Sequence, residues 1–94
     1  MQFAIYCKDK AGSAHVRADN RPAHLEHLKK YQGHLVCTGP LLTEDGQGMV
    51  GSLLVVEFPD RSAAEAFAAA DPYAKAKLFQ SVEITPFRKV FPQS

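Results

Sequence analysis

Phe3, Ile5 and Cys7 alternate with Ala4 and Tyr6 along the first strand-like segment, Gln2 to Lys8, so that both faces of this strand are apolar. A half-buried strand normally keeps polar residues on its wet side. This one calls for cover on two sides, which limits the folds open to so short a chain.

The remaining elements follow from their punctuation. Asp9 to Ser13 is a turn signal, and Ser13 to Asp19 reads as a short polar helix or an ordered loop. A helix then starts at Asn20 or Arg21 with Pro22 in its first turn, where a missing N–H has no intrahelical partner to lose, and Gly33 stops it. Leu35 to Leu42 reads as a second strand in which Gly39-Pro40 marks a bend or bulge, because proline cannot donate to a ladder. Glu44 to Gly48 is a polar turn and Met49 to Phe58 a third strand, so the second and third strands form a hairpin. Ser62-Ala63-Ala64-Glu65 fits a capping box that opens a second helix. Its alanines let the backbone approach a sheet closely, Phe67 is the anchor, and Pro72 ends it near Asp71. Pro72 to Phe79 is a connection with helical potential of its own. Ser81 to Phe91 is the last strand, with Val82, Ile84 and Val90 alternating against Phe87 and Phe91, and Pro86 arguing for an edge position or bulge.

The order β-α-β-β-α-β predicts an α+β, ferredoxin-like fold with an antiparallel sheet and both helices on one face. Two helices cover only that face. The other apolar face is expected to pack against a second copy, giving a homodimer.

Ninety-four residues fit one domain, 1–94. Eleven Lys and Arg stand against ten Asp and Glu, for a net charge of +1, and the basic residues are scattered. Binding to a phosphate backbone needs a basic face, so nucleic acid is not an expected partner. No apolar run approaches the roughly 18 residues of a membrane span, and the chain enters its first strand without a leader-like pattern, so the cytoplasm is the expected location. Cys7 and Cys37 lie in separate strands and form no CxxC pair; they read as two small buried hydrophobes.

The candidate chemistry begins at His24, which shares an apolar helix stripe with Leu28 and Tyr31 at roughly 100° per residue. An inward imidazole is either a hydrogen-bonded core residue or an acid–base group. A carboxylate bonded to one ring nitrogen leaves the other free to take or give a proton. Asp71 can supply that bond, since both helices lie on one face of such a sheet. Alternatively, Asp71 is an exposed helix-terminal aspartate before proline. A negative charge at a helix C-terminus is itself unfavourable, which requires another interaction to hold it. Ser52 can donate a hydrogen bond to a substrate oxygen or be an ordinary strand serine. Arg21 can bind a carboxylate or phenolate, or pair with Asp71. His15, His27 and His34 are too dispersed for a metal signature, and no metal or cofactor is expected.

Five motifs occur in order: Arg21-Pro22-Ala23-His24-Leu25, Thr38-Gly39-Pro40, Gly51-Ser52, Ala70-Asp71-Pro72-Tyr73 and Thr85-Pro86-Phe87-Arg88-Lys89-Val90. Together they resemble the YciI-like (YCII domain) family from Met1 to about Phe91. The resemblance implies a fold of the dimeric α+β barrel type and a histidine–aspartate pair, here His24 and Asp71, treated as an active centre. It also implies that Arg21, Gly39, Pro40, Ser52, Pro72 and Tyr73 line or shape the cleft. Characterised relatives include a dehydrochlorinase of a chlorinated hydroxyhydroquinone. The expected function is a cofactor-independent enzyme, a lyase or isomerase, acting on a small cyclic or phenolic substrate with His24 as general acid or base and Asp71 orienting it. The competing expectation is a noncatalytic small-molecule-binding or protein-interaction module of the same fold.

Overall fold

The computed structural model describes residues 1–93; Ser94 lies outside them. Four strands, β1 (Gln2–Asp9), β2 (Leu35–Leu42), β3 (Met49–Glu57) and β4 (Phe79–Phe87), form one antiparallel sheet in the order β2-β3-β1-β4. The helices are α1 (Ala14–Lys30), α2 (Arg61–Ala70) and the single turn α3 (Pro72–Lys75). The architecture is the expected ferredoxin-like α+β type.

Alternation along β1 sets the layers. Phe3, Ile5 and Cys7 are buried opposite Val56, Leu54 and Ser52 of β3. They pack with Ala64 and Phe67 of α2 in the main core, while Leu28 of α1 and Tyr31 just beyond its end close its side. Tyr6 and its partner Leu53 point to the helix-free face and stay 46% and 37% exposed. Among the described residues no helix is long and apolar enough to cross a membrane.

Several boundaries differ from the sequence reading. Helix α1 begins at Ala14 rather than at Asn20 or Arg21, so Pro22 sits in its interior. An interior proline withholds one backbone bond and crowds the preceding turn. Asn20 Nδ2 donates to the Val16 carbonyl at 2.8 Å just before it, and Arg17 ties the early turns to the sheet through Asp9 and Ser52. Side-chain tethers therefore hold a segment that lacks an apolar stripe. The helix ends at Lys30; Gly33 lies beyond it, in the short 3-10 turn Gln32–His34.

The capping box at Ser62 is not formed. Asp60 caps α2, its Oδ1 accepting from the Ala63 amide at 2.9 Å, and Glu65 pairs with Arg61 at 3.2 Å instead. An aspartate three residues ahead of that amide meets the same need two positions earlier. In β2 the register shifts fall between Leu35 and Cys37 and between Leu41 and Leu42, flanking Gly39-Pro40 rather than coinciding with it. Pro40 is tolerated because β2 is an edge strand. The last strand is the opposite edge and stops at Phe87, leaving Val90 and Phe91 outside the sheet and exposed. Cys7 is buried as expected, but Cys37, on edge strand β2, is exposed.

Candidate active site

Asp71 stands where α2 ends and α3 begins. Its Oδ1 accepts from the Tyr73 amide at 2.9 Å, so the carboxylate caps the positive end of α3 instead of straining the C-terminus of α2. The same oxygen lies 2.9 Å from His24 Nδ1, with the two side chains 4% and 10% exposed. An ionised carboxylate only accepts, so Nδ1–H donates and Nε2 of the neutral ring is left as an acceptor. Among the described residues Nε2 makes no protein hydrogen bond, and no buried side-chain nitrogen or oxygen lacks a partner. Nε2 therefore reaches open space.

Tyr73 completes the support. Its ring stacks on the His24 ring at 4.0 Å and 16°, which fixes the imidazole plane, and the Arg17 guanidinium carbon lies 4.6 Å from the tyrosine centroid. Burial raises the Tyr73 phenol pKa, although Arg17 and Arg21 pull against it. The phenol stays protonated.

Arg17 is the residue that the sequence reading missed. It donates Nε to Asp9 Oδ2 at 2.8 Å and Nη2 to Asp9 Oδ1 at 2.9 Å, a bidentate pair with both side chains almost wholly buried. Nη2 also donates to Ser52 Oγ at 2.9 Å. Burial works against the Arg17 charge, but the Asp9 carboxylate outweighs it and holds the pKa above its usual value. The signal lay in spacing: Arg17 precedes His24 by seven residues, two helical turns, on a helix that the proline rule had started too late. Asp9, read only as part of a turn, belongs with it.

A cavity of about 180 Å³ opens beside these groups. Arg17, His24, Ser52 and Tyr73 supply its polar wall, and Leu25, Leu28, Met49 and Leu54 supply apolar wall. Gly39 and Pro40 of β2 line it with Thr38, and Arg21 lines it from an exposed position, without an ion pair to Asp71 among the described residues. Asp71 sits behind His24 rather than on the cavity. Wider hollows, about 460 Å³ beside Met1 and Arg88 and about 810 Å³ beside Lys10 and Val50, contain no histidine.

Two neighbouring groups stand apart from this chemistry. Burial, reinforced by Asp71, pushes the Cys7 thiol up to about 12, which leaves it inert as a nucleophile. Burial lowers the His27 pKa, and its Nε2–H donates to the Phe67 carbonyl at 3.2 Å, so His27 braces α1 against α2 outside the cavity.

Comparison with known proteins shows the family and the fold. The sequence model of the YCII-related domain matches residues 1–88. Proteins called YciI from Escherichia coli O6:H1 and from Shigella flexneri are each 40% identical over 98 residues, covering 97% of this chain and 100% of theirs. The fold is also similar to that of 5-chloro-2-hydroxyhydroquinone dehydrochlorinase (TftG) from Burkholderia phenoliruptrix AC1100, solved in complex with 2,5-dihydroxybenzoquinone. That match has a TM-score of 0.87 and 35% identity over 94% of each chain.

Proposed function

The chain belongs to the YCII-related family, and from that premise we propose that it is a small-molecule enzyme in which His24 and Asp71 carry out general acid–base proton transfer. The observation that carries the reading is the 2.9 Å bond between His24 Nδ1 and Asp71 Oδ1, with Nε2 left open beside a small cavity. Asp71 orients the imidazole and stabilises the imidazolium that forms when Nε2 takes a proton. The tyrosine stack keeps the ring from turning.

The reaction class is elimination or isomerisation of a small cyclic or phenolic substrate, without a cofactor. Support for the substrate comes from cavity size and from the likeness to a dehydrochlorinase of a hydroxyhydroquinone. A cavity of about 150 Å³ accepts a benzene ring, so the space here suits one substituted ring. Arg21, Gly39, Pro40, Ser52 and Tyr73 bind or shape that substrate. Tyr6 and Leu53, exposed on the helix-free face, support a homodimer, and the cytoplasm is its proposed location.

Small enols, lactones and chlorinated phenols screened in parallel against wild type and His24→Ala test the reading. General acid–base groups contribute about 10²- to 10⁴-fold, and a loss of that order in His24→Ala is expected. Turnover that persists unchanged in the variant removes His24 from the mechanism.

A further inference from the structure

We infer that Asp9, Arg17 and Ser52 form a hydrogen-bond donor chain that holds an enolate or phenolate oxygen of the substrate, on the same cavity where His24 Nε2 takes the proton. The inference rests on the proposed function and assigns the polarity of its substrate.

The direction of each bond carries the argument. A guanidinium has donors and no acceptor, so in the 2.9 Å bond from Arg17 Nη2 the Ser52 oxygen accepts and its own proton remains unspent. Among the described residues the Ser52 hydroxyl donates to no protein group. Ser52 is only 3% exposed, yet it lines the cavity, so the cavity is where that proton finds an acceptor. The Arg17 bond polarises the hydroxyl and strengthens it as a donor. Asp9 fixes the guanidinium plane through two bonds and balances its charge in the interior. Arg21, which forms no ion pair among the described residues, adds an uncompensated positive charge at the mouth.

One polar wall therefore donates and the other accepts. The matching substrate is a compact carbonyl compound with an acidic C–H next to the carbonyl, or its enol. The proton moves from carbon to His24 Nε2, and the C–H electron pair becomes a C=C bond. The carbonyl π pair moves onto oxygen, where the Ser52 proton meets it. Return of the proton to another carbon completes an isomerisation. Collapse of the enolate with departure of a halide or hydroxide from a neighbouring carbon completes an elimination.

The probe is 2,5-dihydroxybenzoquinone, which is an enolate at neutral pH, titrated into the full chain by calorimetry and by its visible absorption. Wild type is expected to bind and to shift the absorption band of the enolate. Ser52→Ala and the nearly isosteric Ser52→Cys, each checked for a wild-type melting transition, are expected to weaken binding by about tenfold or more, the scale of a hydrogen bond to a charged group. Equal binding by the folded variants, or no binding or band shift with wild type, overturns the donor chain whatever His24→Ala does to turnover. Binding lost with Ser52 while turnover survives in His24→Ala upholds the chain and removes the proton-transfer reading. Should both variants fail to fold, an unshifted band with a wild type that does not bind still overturns the chain.

Discussion

Replacing Asp71 separates its structural work from its charge. The Asp71→Ala variant removes one oxygen that serves two N–H donors, His24 Nδ1 and the Tyr73 amide, from a side chain only 4% exposed. Leaving the imidazole donor unpaired costs about 1–3 kcal/mol, and losing a helix cap about 1 kcal/mol. The total is about 2–4 kcal/mol. For a chain of this length each kcal/mol lowers Tm by roughly 4–8 °C, so a drop of about 10–30 °C is expected. Asp71→Asn keeps an oxygen in the same place, able to accept from both donors, and is expected to stay within about 1 kcal/mol of wild type. Its charge is gone, however, so the imidazolium loses its stabilising partner and turnover is expected to fall about 10²-fold or more. Urea unfolding at a fixed protein concentration, alongside steady-state turnover, measures both quantities. An alanine variant as stable as wild type refutes the double-acceptor argument. An asparagine variant with full activity refutes the role of the charge.

Three further outcomes follow from the surroundings. Cys7 is expected to resist a disulfide-exchange reagent at pH 8 while exposed Cys37 reacts, with a second thiol appearing only on denaturation; rapid reaction of two native thiols contradicts this. Because the folded Cys7 pKa, about 12, lies above the ordinary value of 9.0, its contribution to stability is complete below pH 9 and declines as pH rises toward 12. A Cys7→Ala variant, compared by urea midpoint across that range, should show a shallower decline than wild type. At Gly51 an added Cβ would lie 2.4 Å from the Cys7 carbonyl oxygen, part of the rigid β1 backbone, so Gly51→Ala must part β1 from β3. A loss of about 1–3 kcal/mol in urea unfolding is expected, and an unchanged midpoint would show that the strands yield freely.

Much of the architecture was legible because its signals were local. Alternation along β1 located the core face, and the inward stripe of His24, Leu28 and Tyr31 located the imidazole. The buried Arg17 was hidden by a rule that is sound on average: proline usually marks a helix start, and here it lies midway through α1. What overrides the rule is an ion pair between Asp9 and Arg17 that exists only once strand and helix are docked. The α2 cap was misread for the opposite reason, since two competent caps, Asp60 and Ser62, lie two residues apart. The apparent misfit of a carboxylate at a helix end vanished when Asp71 proved to open α3 as well as close α2.

That double duty bears on how the chain tolerates change in length. Connections between helices ordinarily absorb gained or lost residues with little effect. The junction at Ala70-Asp71-Pro72-Tyr73 has no such slack, because the position that ends one helix also caps the next and touches His24, while Tyr73 offers that carboxylate its amide and the imidazole its ring. A one-residue insertion there would shift helix boundary, cap and stacking partner together. Drift in this short junction is therefore limited to substitutions, and length variation has to be taken up elsewhere, as in the exposed turn Glu44 to Gly48.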